Sequence, residues 1–340
     1  MVYLPSTPWT WCFLIIAFVE SVIVLGFEGF VFATFQNNIK FSNTNPSQTR
    51  TIPTYLTLFI FAHIFLIGLV YDALRLKNTI QVIGLCIFNG ALLIYAAIQM
   101  DQIREANEYL LAVKPPLAQR DIWGDIQPFL IAIPCVLALC TVLMSIVAWK
   151  LYDEFAWTIY KHISADLRMK RRYLTFQIFV ALLKFDFFFF LGFTIQFLVI
   201  VLQSNDIEFQ LTIVVIPLTI IFLLTAAWAT RREITWLMTI VVIVFHGSMA
   251  YFLFKLVRMY TDKARLAQYL PARRSLTSFA VITLLLITVT IINAITCMLN
   301  FNKGLKPHIT KRKFPNEEEK HGMTELSPAA HSVPSRMTID

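Results

Sequence analysis

Tyr173–Gln203 reads YLTFQIFVALLKFDFFFFLGFTIQFLVIVLQ. As a helix this stretch reaches roughly 46 Å, against roughly 30 Å of hydrocarbon in a bilayer. It is a membrane span with length to spare. Lys184 and Asp186 precede four consecutive phenylalanines, Phe187–Phe190. An ionised side chain at the bilayer centre costs roughly 2.5–3.5 kcal/mol. The two charges therefore need partners, or a position nearer the headgroups than the apolar run suggests. Two residues apart on a helix, they point about 160° apart and cannot share one partner.

The rest of the chain repeats the pattern. Of 340 residues, 57% are apolar and 15% charged, where soluble domains carry about 25% charged residues. The fold class is all-α, a polytopic transmembrane helix bundle. Eight spans are expected, at residues 11–35, 55–74, 79–100, 128–149, 173–203, 209–229, 233–256 and 275–299. A seven-span arrangement follows if Trp11–Phe35 is cleaved or does not cross. Residues 1–300 form the bundle, and 301–340 read as a disordered cytosolic tail, with Lys311-Arg312-Lys313 followed by Glu317–Glu319.

The connections are polar. Lys40–Pro53 reads as a loop, Arg75–Lys77 as a very tight turn, and Ser204–Glu208 as a short acidic turn. Within Lys150–Arg172, apolar residues recur every four positions from Leu151 to Leu167, the pattern of an amphipathic cytosolic helix. Arg258–Arg274 is polar and basic.

The net charge of +8 would suggest nucleic acid in a soluble protein. Between apolar runs, basic residues instead set orientation and meet lipid phosphates, so no nucleic-acid partner is expected. With eight spans both termini share one side. That side carries seventeen Lys and Arg, the other eleven. The richer side is cytosolic by the positive-inside rule. Six basic residues between Lys255 and Arg274 run against it. Arg168, Lys170, Arg171 and Arg172 are candidates for anionic lipid headgroups, and the tail for cytosolic protein partners.

The five cysteines lie in or beside apolar runs, which argues against a disulfide framework. No metal-ligand spacing, nucleotide loop or nucleophile motif occurs, so no catalytic residue, cofactor or metal is expected. The intramembrane polar set is Glu20, Glu28, His63, Asp72, Lys184, Asp186, His246 and Asn293. Such residues are functional candidates by position. Glu20 and Glu28 lie on roughly one helix face. Gly26 and Gly29 beside them would permit close helix approach. Lys184 is expected to meet one of the two glutamates, and Asp186 a basic loop residue. Asp72 is expected to pair with Arg75 or Lys77. Asn293, Thr296 and Asn300 share a face suited to bonding a neighbouring helix.

Three segments carry a resemblance: Trp157–Gln203, Ala250–Tyr260 (AYFLFKLVRMY) and Ser275–Pro307. Leu183-Lys184-Phe185-Asp186, Arg231-Arg232-Glu233 and Asn300–Pro307 are its most specific pieces. The chain resembles, from about Trp11 to Pro307, an uncharacterised fungal family of multi-spanning Golgi apparatus membrane proteins. The resemblance implies a Golgi or endomembrane location and supplies no catalytic residues. The first functional expectation is a non-catalytic protein of trafficking, sorting or ligand sensing. The alternative is a small-solute or ion transporter using Glu20, Glu28 and Lys184. An intramembrane hydrolase built on His63, Asp72 and His246 ranks last.

Overall fold

The computed structural model describes residues 5, 7–39, 47–113, 118–162, 167–201, 207–262, 269 and 272–304. Among the described residues, eight helices are long and apolar enough to cross a membrane. They are α1 (Pro8–Asn38), α2 (Ser47–Arg75), α3 (Thr79–Ala112), α4 (Trp123–His162), α5 (Leu167–Gln196), α6 (Ile207–Arg232), α7 (Thr235–Thr261) and α8 (Arg273–Leu299). A π-helical turn, Phe197–Val201, extends α5. Most of the tail expected at 301–340 lies outside the described residues.

Local chemistry sets several helix ends. Pro8 opens α1, and Thr7 and Thr10 exchange side-chain-to-backbone bonds there in a capping box. Asn78 caps α3 through the Gln81 N–H. Within the spans hydroxyls bond back to the carbonyl four residues earlier, as at Thr141, Thr194, Thr219 and Thr283. Lipid offers such hydroxyls no water, so this internal bond is what makes them tolerable.

Two helix ends differ from the sequence expectation. The expected loop Lys40–Pro53 ends early, because α2 begins at Ser47 and runs through Pro53. Hydropathy marks membrane depth, and a helix can project beyond it. Likewise α6 begins at Ile207, inside the expected acidic turn. The helical stretch from Lys150 is present and continues α4 without a break to His162. Its apolar positions Leu151 and Phe155 are buried.

α1 packs on α2 and α4, and α3 on both of those as well. α5 packs on α6 and α8, and α7 on α8 and α6. Contacts of α5 with α2 and α3, and of α8 with α3, join the two sets of four. α5 is the central helix: 56% of its span is buried, against 17% for α6. The phenylalanine run explains this. Phe188 stacks on Phe65 of α2 at 5.4 Å and meets Phe88 of α3 edge-on at 4.9 Å. Phe190 lies 5.2 Å from Phe252 of α7, and Phe189 lies 5.7 Å from Phe279 of α8. Consecutive positions on a helix point in different directions, so four phenylalanines in a row reach several neighbours. Between helices in lipid such van der Waals packing is a main attraction.

The close approaches fall at Gly84 and Gly192. A Cβ there would stand 2.5 Å from the Phe185 ring and 2.6 Å from the Phe279 ring. Gly26 and Gly29 have nothing within 4 Å of that position, contrary to the expectation of close packing there.

Candidate functional site

The polar interior is organised by α3. Gln81, Asn89, Gln99, Gln102 and Asn107 are all buried along it. Each span of a bundle must satisfy its side-chain amides internally, and neighbouring helices supply the partners. Glu20 and Glu28, both buried, do share the face of α1 toward α3. Asn89 Nδ2 donates to Glu20 Oε2 at 3.1 Å. Gln99 Nε2 lies 3.1 and 3.2 Å from the two Glu28 oxygens. The buried Tyr55 of α2 lies beside Gln102, and beside Ser275 of α8. Gln196 of α5 donates to the Tyr95 hydroxyl at 3.3 Å.

Lys184 meets neither glutamate, which corrects the sequence expectation. Its ammonium bonds the Asp72 carboxylate and lies 2.8 Å from Gln81 Oε1. Gln81 Nε2 in turn donates to Asp72 Oδ2 at 3.1 Å and to the Leu69 carbonyl at 2.9 Å. Among the described residues the Asp72 carboxylate is thus held by Lys184 and Gln81, where the sequence expectation was Arg75 or Lys77. The tight α2–α3 turn is the cause. Lys77, at φ 46°, reverses the chain and sets Asp72 and Gln81 side by side facing α5. Lys184 and Asp72 remain partly exposed, at 26% and 38%, so the triad opens at one side of the bundle.

Asp186 is fully buried and accepts from the Thr290 hydroxyl of α8 at 2.7 Å, not from a basic loop residue. Lys184 and Asp186 therefore bind opposite neighbours, as their angular separation requires. His63 is buried and bonds the Phe59 carbonyl at 3.0 Å. His246 is exposed on α7 and bonds the Val242 carbonyl at 2.8 Å. Among the described residues no group of three or more His, Cys, Asp or Glu stands ready to hold a metal. Asn293 accepts from the Cys297 thiol and Thr296 donates to the Ile292 carbonyl, both inside α8. The neighbour-helix bonding expected of that face runs instead through Cys297, which reaches the Thr175 carbonyl of α5.

The two ends of the bundle differ. At the near end lie the start of α1 and the end of α8. There Thr7 donates to Glu154 at 3.0 Å, Arg172 Nη1 to the Lys303 carbonyl at 2.6 Å, and the Asn302 N–H to Glu233 Oε2 at 2.9 Å. The pieces of sequence that carry the resemblance are thus bonded to one another. At the far end Ile39 bridges Ala118, and Asn38 exchanges bonds with Arg120. Asp121 there accepts from the Trp123 N–H and the Asn107 amide. Those two donors hold its carboxyl below the usual aspartate range.

Among the described residues, several far-end cations have internal partners. Arg274 pairs with Glu105 at 3.0 Å, Arg120 with Asp125 at 2.8 Å and Arg258 with Asp262 at 3.5 Å. Arg273 lies over the Tyr260 ring, and buried Lys255 lies 4.1 Å from the Phe197 ring centroid. Of the basic residues that run against the charge rule, Arg258 and Arg274 pair with carboxylates and Lys255 and Arg273 lie against aromatic rings, while Lys263 and Arg265 lie outside the described residues.

A bundle of apolar spans with a polar interior tied helix to helix defines a polytopic membrane protein. No family model matches the chain. No solved structure matches it either. It is 35% identical over 315 residues to the UPF0658 Golgi apparatus membrane protein C23H3.04 of Schizosaccharomyces pombe, covering 87% of this chain and 88% of that one. The chain belongs to the UPF0658 family of Golgi apparatus membrane proteins.

The residues that sequence reasoning left off the candidate set are the amides of α3. Gln81, Asn89 and Gln99 are uncharged and so attract less notice than a buried acid. Their signal is nonetheless present: a row of amides on one span, facing a span whose two acids stand eight residues apart.

Proposed function

We propose that the chain is a non-catalytic multi-pass protein of Golgi or related endomembranes, with both termini cytosolic. It acts in trafficking, sorting or ligand sensing by presenting its near-end surface and tail to cytosolic partners. The observation that carries this reading is the dispersal of the polar interior. Glu20, Glu28, Lys184 and Asp186 each bond a different neighbour, three of them a neutral group, and so serve as ties between helices. Two apolar hollows, one beside Phe187 and Ile216 and one beside Tyr95 and Phe279, border none of these four. The relative's Golgi name supports the location, and the count of basic residues between the spans supports the orientation.

Proximity labelling from a tag after Asp340 tests this. The expected result is enrichment of cytosolic trafficking proteins at Golgi membranes. Labelling confined to lumenal proteins would contradict it.

A second reading, a small-solute or ion transporter, is favoured by one feature. Glu20 and Glu28 are two buried acids on one face of α1 with amide partners. Flux in vesicles of purified protein that disappears in Glu28→Gln would establish it.

A further inference from the structure

We propose that Arg171, Arg231 and Arg232 form a docking surface for anionic lipid headgroups, centred where the chain leaves α8. The inference rests on the proposed cytosolic orientation of the near end, and goes beyond it by naming a lipid class and the residues that meet it.

The three arginines belong to one place. Residues 302 and 303 are consecutive, and they tie the α6–α7 turn to the start of α5. The Asn302 N–H bonds Glu233 at 2.9 Å and the Lys303 carbonyl accepts from Arg172 at 2.6 Å. Arg171 precedes Arg172, and Arg231-Arg232 precede Glu233. The joint is rigidly specified. Glu233 and Asn302 both take left-handed backbone, at φ 55° and 59°, and Gly304 does so at 88°. Glycine and asparagine adopt that conformation readily, whereas Glu233 holds it at a cost that its surroundings must offset.

The charge there is available. Arg171, Arg231 and Arg232 are exposed, and none makes an ion pair among the described residues. The nearest acid in sequence, Glu233, is buried and accepts a backbone N–H. At the far end, by contrast, Arg104, Arg120, Arg258 and Arg274 all have carboxylate partners. Among the described residues, Arg273 at the far end lies over the Tyr260 ring.

The depth selects lipid as the occupant. Trp228 and Trp236 stand on either side of the α6–α7 turn and are 51% and 67% exposed. Exposed tryptophans at span ends sit at headgroup level. That places Arg231 and Arg232 beside lipid phosphates, where guanidinium groups make bidentate charge-assisted bonds.

The test uses full-length protein in bilayers of phosphatidylcholine with a minor fraction of phosphatidylserine. Native mass spectrometry then counts the lipid retained. Wild type should hold phosphatidylserine in preference to phosphatidylcholine, and rising salt should erode the preference. Each basic residue near an anionic surface carries roughly a fivefold effect, so R171Q/R231Q/R232Q should lose on the order of a hundredfold. R104Q at the far end should retain the preference. Equal retention by wild type and the triple variant would overturn the proposal. So would salt-independent retention by wild type, a readout that needs no variant to fold. Soluble inositol hexakisphosphate displacing the lipid without regard to the bilayer would reassign the surface to a free phosphate ligand. Because the bilayers hold no trafficking proteins, failure here leaves the labelling test above unaffected.

Discussion

Lys184 in the middle of α5 bonds Asp72 in the last turn of α2, across more than a hundred residues of sequence. Gln81 completes the triad by accepting from Lys184 and donating to Asp72. A single side chain of the central helix therefore locks the α2–α3 turn. Removing either charge leaves the other with less compensation in a half-buried place. Lys184→Met and Asp72→Asn should each cost about 1–2 kcal/mol, allowing for the pair's partial exposure. The double variant should cost less than the sum of the two. Melting temperatures of the four proteins in detergent check this.

Close packing on α5 gives a second expectation. An alanine at Gly192 brings a Cβ to 2.6 Å of the Phe279 ring. That ring is hemmed in by Tyr95, Phe188 and Phe189 and has little room to give. Gly192→Ala should destabilise by about 1–3 kcal/mol. Gly26→Ala and Gly29→Ala meet open space and should leave the melting temperature unchanged or raise it, since a helix-interior glycine costs about 0.5–1 kcal/mol relative to alanine. The opposite ranking would show that the helix interfaces are drawn wrongly.

Asp121 gives the far end a pH dependence. Its carboxyl is held below the aspartate value of 3.8 by the Trp123 N–H and the Asn107 amide. A depressed folded value means the contribution is complete above the unfolded value. It is lost as pH falls through the folded one. Wild type should therefore be more stable than Asp121→Asn at neutral pH. The gap should be small, because the group is exposed, and should close as pH drops below 3.8. Melting curves of both proteins across that range measure it.

Much of the bundle was legible from apolar run length alone. Eight runs became eight helices, because a chain in hydrocarbon has few alternatives to helix. The polar ends were less legible. Ser47–Ile52 reads as loop because hydropathy falls there, yet α2 already includes it. Partners were the least legible. Nothing in the sequence around Lys184 distinguishes Asp72 from Glu20 or Glu28. The choice depends on a positive φ at Lys77 and on how α5 sits against the turn. The angular rule did hold for Lys184 and Asp186, which bind α2 and α8 respectively. In the basic loop that runs against the charge rule, a count of charges likewise misses the partners. Arg258, Arg274 and Lys255 find an acid or an aromatic ring only once the chain folds.

In the proposed reading the buried acids of α1 hold helices together and carry nothing. Amide replacement separates those roles, since a glutamine keeps the shape of a glutamate and one acceptor oxygen but cannot take up or release a proton. In Glu28→Gln the new amide can still accept from Gln99 Nε2, and can donate to Gln99 Oε1, which has no partner now. The decisive measurement expresses Glu20→Gln/Glu28→Gln in a deletion strain and reads its protein-sorting and metabolite profiles beside the variant's melting temperature. The expected result is a protein that melts within a few degrees of wild type and restores the wild-type profiles. A variant that folds normally and leaves the strain indistinguishable from the deletion would contradict it.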